Sequence, residues 1–142
     1  MRYLAIDYGT KTTGLAVCDQ TEAIVSPFAG LPTAKDLLEK IVEIVKNEGI
    51  EAIVVGLPLN MDGTQSGQAG IVSGFAEELK KHLNLPIFFQ DERLTTFAAE
   101  EKLVPRGLTR KKRRARIDAL AAAEILQIFL DSKRIPSAGD TK

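Results

Sequence analysis

Residues 2–19 read Arg-Tyr-Leu-Ala-Ile-Asp-Tyr-Gly-Thr-Lys-Thr-Thr-Gly-Leu-Ala-Val-Cys-Asp. Alternation from Arg2 to Asp7, a turn at Tyr8-Gly9-Thr10 and a second short run from Thr12 to Asp19 predict two antiparallel strands. Ala23–Leu31 predicts a third, weaker strand. Pro27 has no N–H to donate, which assigns that strand to an edge or an irregular course. The period then changes. Thr33-Ala-Lys-Asp36 resembles a capping box, and Leu37, Leu38, Ile41, Val42 and Val45 follow at helical spacing up to Gly49.

Ile50–Val55 is a β-branched run that suits a strand covered on both faces, stopped by Gly56-Leu57-Pro58. Asn60–Gln68 reads as a loop. Ile71, Val72, Phe75, Ala76 and Leu79 mark a second helix. Pro86–Gln90 reads as another buried strand, with a short helix from Thr95 or Thr96 through Lys102 after it. A last helix is expected from about Thr109 to Asp131, with residues 132–142 frayed. The order βββ-α-β-α-β-α-α predicts a mixed α/β fold: three antiparallel strands, then two parallel strands reached by right-handed crossovers, with helices on the sheet faces. Residues 1–131 form one domain in this reading, as a length of 142 residues suggests.

Composition narrows the function classes. Hydrophobic residues are 44% and charged residues 27%, an ordinary globular balance. The single cysteine, Cys18, excludes an intramolecular disulfide and a Cys-rich zinc site. No apolar run approaches a membrane span. The N-terminus enters a strand pattern without a signal-peptide region, so the expected compartment is the cytoplasm. Net charge is zero, but residues 1–105 carry 9 basic and 15 acidic side chains, whereas residues 106–142 carry 10 and 4. Six of the seven positions 110–116 are basic: Arg110, Lys111, Lys112, Arg113, Arg114 and Arg116. Such asymmetry points to a polyanionic partner.

Three acidic positions stand out. Asp7 shares a strand face with Tyr3 and Ala5, and a carboxylate there needs a partner, water or metal unless it only closes a turn. Asp91 and Glu92 leave the last strand together and meet Arg93; adjacent strand residues point to opposite faces, so one of the two joins a site. Asp118 lies on a helical stripe with Ala121, Ala122, Ile125 and Phe129, an unexpected place for a charge. Carboxylates gathered from these three elements would suit Mg²⁺ or Mn²⁺ and phosphodiester cleavage. Val55-Gly56-Leu57-Pro58-Leu59-Asn60 runs from a strand into a Gly-containing loop whose backbone N–H groups could receive a phosphate, Gly56 and Asn60 included.

In order, Asp7-Tyr-Gly-Thr-Lys11 with Gly14-Leu-Ala16, Val55-Gly-Leu-Pro58 with Asn60-Met-Asp-Gly63, Asp91-Glu-Arg-Leu-Thr-Thr96, and Asp118-Ala with Ala121-Ala and Ile125-Leu-Gln127 resemble the YqgF family. This is the RuvC-like group described both as Holliday junction resolvases and as the nuclease for pre-16S ribosomal RNA. The likeness covers about residues 2–131. It implies a ribonuclease H-like fold and a metal-dependent endonuclease, with Asp7, Glu92 (favoured over Asp91) and Asp118 as catalytic and metal-binding residues. Lys11, Arg93 and the basic run at 110–116 would then contact nucleic acid. Where family members often carry Arg-Ile after the first-motif lysine, Thr12-Thr13 stand here.

Three alternatives remain open at this level. One is a Holliday junction resolvase acting on DNA. Another is a non-catalytic, nucleic-acid-binding ribosome-assembly factor. The third is a phosphotransferase of the actin-like type, for which 142 residues supply only one of the two lobes required. A monomer and a homodimer are equally compatible with the sequence.

Overall fold

The computed structural model describes residues 1–94 and 106–134. Five strands, β1 (Tyr3–Tyr8), β2 (Thr12–Cys18), β3 (Val25–Pro32), β4 (Ala52–Leu57) and β5 (Ile87–Asp91), form one sheet in the order β3-β2-β1-β4-β5. Strands β1, β2 and β3 are antiparallel, and β4 and β5 run parallel to β1. Helices α1 (Leu37–Glu48) and α2 (Gly67–His82), a 3-10 turn (Glu92–Leu94) and the long α3 (Arg110–Arg134) complete the described elements. The expected strand order and sheet topology are those observed. The helix expected over 95–102 lies outside the described residues.

Alternation along β1 divides the core in two. Leu4 and Ile6 join Leu37, Ile41, Val55, Val72 and Leu79 on the side of α1 and α2. Tyr3 and Ala5 join Ala16, Ala52, Val54, Ala122, Ile125 and Leu130 on the side of α3. The second layer is built from small side chains, which lets α3 lie close on the sheet. A Cβ at Gly14 would overlap the backbone carbonyl of Asp118, and one at Gly30 would stand 2.5 Å from the Cα of Ala115.

Several boundaries differ from expectation, each for a local reason. α1 starts after Asp36, not after Thr33. The Thr33 hydroxyl is already engaged, donating to the Gly9 carbonyl at 2.8 Å and lying 2.7 Å from the Thr13 hydroxyl. α2 begins earlier than its apolar periodicity suggests, because Ser66 caps it by accepting from the Ala69 N–H at 3.1 Å. β4 continues through Gly56 and Leu57, which pair with Gln90 and Asp91. β5 is an edge strand rather than a buried one; Phe88 and Phe89 are each 41% exposed. β3 is the opposite edge, and its register with β2 shifts between Leu15 and Ala16, beside Pro27. α3 runs to Arg134, so residues 132–134 are helical, not frayed.

Candidate active site

The sheet register brings distant residues into one row. Asp7 near the end of β1 pairs with Gly14 on β2. Over Gly14 lies the main chain of Asp118, since no Cβ intervenes. On the other side of β1, Ile6 pairs with Val55, which places Gly56 beside Asp7. Over Gly56 lies the Glu92 carboxyl: a Cβ at that position would run into Glu92 Oε1 and stand 3.0 Å from its Cδ. The row therefore reads Asp118, Asp7, Glu92, with two glycines making the room.

Asp7 and Glu92 share a hydrogen bond. Burial raises the Asp7 carboxyl above its ordinary range; the Glu92 hydrogen bond and the Arg114 charge pull it back, and the Asp118 charge adds to the rise. Glu92 is pushed up to about 9, first by burial and then by its hydrogen bond to Asp7 and the charges of Asp7 and Asp91. A pair of carboxyls sharing one proton is the expected state of two adjacent, partly desolvated acids.

Asp118 is 5% exposed on the buried face of α3. Because α3 starts at Arg110, Asp118 is in its third turn, too deep for the helix dipole to explain it. Its Oδ1 lies 3.3 Å from Arg114 Nε. Its Oδ2 is buried with no hydrogen-bond partner among the described residues. Among those residues, no three His, Cys, Asp or Glu side chains stand ready-spaced around a cation. The donor set nevertheless fits a hard divalent ion. It offers oxygens alone, a proton between Asp7 and Glu92 that a cation would replace, and an orphaned Asp118 oxygen in the same row.

Asp91 is placed differently. Its Oδ1 accepts from the Arg93 N–H at 2.8 Å and its Oδ2 from Arg93 Nε at 2.7 Å, which holds its carboxyl below the ordinary range. Arg93 also donates to the Met61 carbonyl at 3.0 Å. It thereby ties the 60–64 loop to the turn that carries Glu92, while remaining exposed at the surface. Gly56 is buried within β4 beneath the Glu92 carboxyl. Asn60 is exposed, and its loop closes on itself: the Asn60 N–H donates to the Thr64 carbonyl at 2.9 Å and its amide to the Thr64 hydroxyl at 3.0 Å.

Lys11 is exposed in the β1–β2 turn, held from below by the Thr33 N–H donating to its carbonyl at 2.8 Å. Arg110, Lys111, Lys112, Arg114 and Arg116 are exposed along the first turns of α3, and Arg113 is half-buried. Arg110, Lys111 and Arg114 border a cleft of about 420 Å³ between α3 and β3 that reaches Asp118.

The five-stranded mixed sheet with flanking helices has the ribonuclease H-like fold of RuvC-type resolvases. RuvC from Thermus thermophilus, in complex with a Holliday junction substrate, superposes with a TM-score of 0.58 at 15% identity over 94% of this chain and 95% of that one. The fowlpox virus Holliday junction resolvase does so with a TM-score of 0.56 at 11% identity, over 93% and 99%. The chain belongs to the family described as "RuvX: Holliday junction resolvase", which matches residues 1–132. Relatives named "Putative pre-16S rRNA nuclease" include one from Roseiflexus sp., 42% identical over 135 residues, covering 94% of this chain and 96% of the relative. Another, from Geobacillus kaustophilus, is 41% identical over 138 residues, covering 94% and 100%.

Proposed function

We propose that the protein is a divalent-metal-dependent endonuclease that trims the precursor of 16S ribosomal RNA, acting in the cytoplasm as one catalytic unit spanning residues 1–131. The carrying observation is the row of buried Asp118 and half-buried Asp7 and Glu92 beside a basic helix start. Asp7, Glu92 and Asp118 would hold Mg²⁺ or Mn²⁺, which when bound supplies activation of water and stabilisation of the leaving oxygen. Asp7 and Glu92 would give up their shared proton to solvent on becoming ligands, while the close approach of α3 over Gly14 positions Asp118 and the recess at Gly56 positions Glu92. The basic side chains of α3 and Lys11 draw the phosphodiester backbone toward an otherwise repellent acidic pocket. No helix of the described residues is long and apolar enough to cross a membrane.

The family description favours a second reading, cleavage of branched DNA. A single panel tests both: precursor 16S RNA, a four-way DNA junction and single strands, each with Mg²⁺ and with Mn²⁺. Precursor RNA is expected to be cut, and Asp7→Asn is expected to abolish cutting. Cleavage that persists in Asp7→Asn refutes the site. Binding without turnover under every condition would instead make the protein an assembly factor.

A further inference from the structure

We propose that Arg114 is the resident counter-ion of Asp118 in the metal-free protein, yields that place to the divalent ion, and then contacts the substrate phosphate. The inference rests on the nuclease reading above. Arg114 stands one helical turn before Asp118, with Nε 3.3 Å from Asp118 Oδ1 and 3.4 Å from the Thr12 hydroxyl. Its positive charge also acts on Asp7. One guanidinium thus offsets part of the negative charge of the acidic row.

The contact is easily broken. The Arg114 side chain is 59% exposed whereas that of Asp118 is 7% exposed. Pairs in which one partner is largely solvated are weak. A divalent ion on Asp118 Oδ2 would repel the guanidinium on Oδ1 and weaken a contact that solvent already competes for. Once displaced, Arg114 still lines the cleft beside Asp118. Its neighbours on the cleft wall are Arg110 and Lys111, which make no ion pair among the described residues. Three cations facing one cleft beside a metal site form a receptor for an anion, and the planar guanidinium fork matches a phosphate.

The test uses the full chain with Arg114→Gln, which preserves helix propensity, and Arg114→Lys, which preserves charge. Mn²⁺ is titrated calorimetrically without nucleic acid, and cleavage of precursor 16S RNA is then measured at saturating Mn²⁺. Arg114→Gln should bind Mn²⁺ about two- to fivefold more tightly and cleave at least about tenfold more slowly. Arg114→Lys should fall between the native protein and Arg114→Gln in both. Opposite movement of affinity and rate is a signature that a merely structural arginine would not produce. Unchanged Mn²⁺ affinity in Arg114→Gln overturns the inference and leaves the nuclease reading standing. Tighter Mn²⁺ binding with undiminished cleavage overturns the phosphate contact. Failure of the native protein itself to bind Mn²⁺ overturns the nuclease reading and the inference with it.

Discussion

Gly30→Ala should damage catalysis from a position that touches no reacting group. Gly30 lies on β3, under Ala115 of α3. A Cβ there would stand 2.5 Å from the Ala115 Cα and 2.9 Å from its carbonyl carbon, both backbone atoms that no rotamer change can move. Ordinary contact begins at 3.4 Å, so α3 must retreat from the sheet by about 0.9 Å. Asp118 is three residues further along the same helix, about 4.5 Å away at about 1.5 Å per residue, and is carried with it. Overpacking of this size costs about 1–3 kcal/mol, or a fall in Tm of about 3–10 °C. If Asp118 is one of the proposed metal ligands, displacing it by about 1 Å lowers the rate by roughly a hundredfold. The assays are thermal unfolding and cleavage of precursor 16S RNA at saturating metal. Gly74→Ala in α2 is the control: nothing lies within 4 Å of its added methyl, so activity stays native and stability rises by about 0.5–1 kcal/mol. A Gly30→Ala protein with native Tm and native cleavage refutes the close-packing argument.

Gly56→Ala should differ in kind. Its Cβ meets side-chain ends, Glu92 Oε1 and Ile125 Cδ1, so the Glu92 carboxyl is pushed out of the row at little cost in stability; cleavage should fall while Tm holds, and a fully active variant would contradict this. Asp91→Asn should loosen the Arg93 brace and lower Tm slightly while sparing most activity, whereas Glu92→Gln should abolish cleavage; equal losses in both would undo the division of roles. The depressed Asp91 carboxyl adds stability above its unfolded range and loses it as the pH falls through the folded one. Glu92 runs the other way. Its carboxyl moves from 4.5 up to about 9 on folding. Between those values the folded protein holds a proton that the unfolded chain releases, so metal-free stability falls as the pH rises from about 5 towards about 9. Thermal unfolding in EDTA should show that slope, Glu92→Gln should remove its share, and a slope identical in both proteins would reject it.

The strand and helix order was legible because each element carries its own periodicity: alternation in Tyr3–Tyr8, three-four spacing in Leu37–Val45, a β-branched run before Leu57. The stripe from Asp118 to Phe129 likewise placed Asp118 on the buried face of α3. What periodicity cannot express is a cap already spent elsewhere. The Thr33 hydroxyl serves Gly9 and Thr13 across the β1–β2 turn, so α1 starts after Asp36. Ser66 was the opposite case, a sound capping residue hidden in a Gly-rich stretch, and its spacing to Ala69 was the available signal.

Convergence of the acids was harder to read than their identity, and the reason lies in residues without side chains. Alternation shows that Asp91 and Glu92 point apart, but not which of them turns inward. The choice is made by Gly56, whose missing Cβ leaves a recess that Glu92 fills, and by Arg93, which holds Asp91 outside it. Asp118 reaches the row through Gly14 in the same way. The glycines are therefore as much a part of the site as the acids: an acidic residue alone at each position would leave three separate carboxyls on three elements. A chain with all three acids but with alanine at both Gly14 and Gly56 should fold less stably and bind Mn²⁺ weakly. If it bound Mn²⁺ like the native protein, carboxylate identity alone would define the site and the close approach of α3 and β4 would be incidental to it.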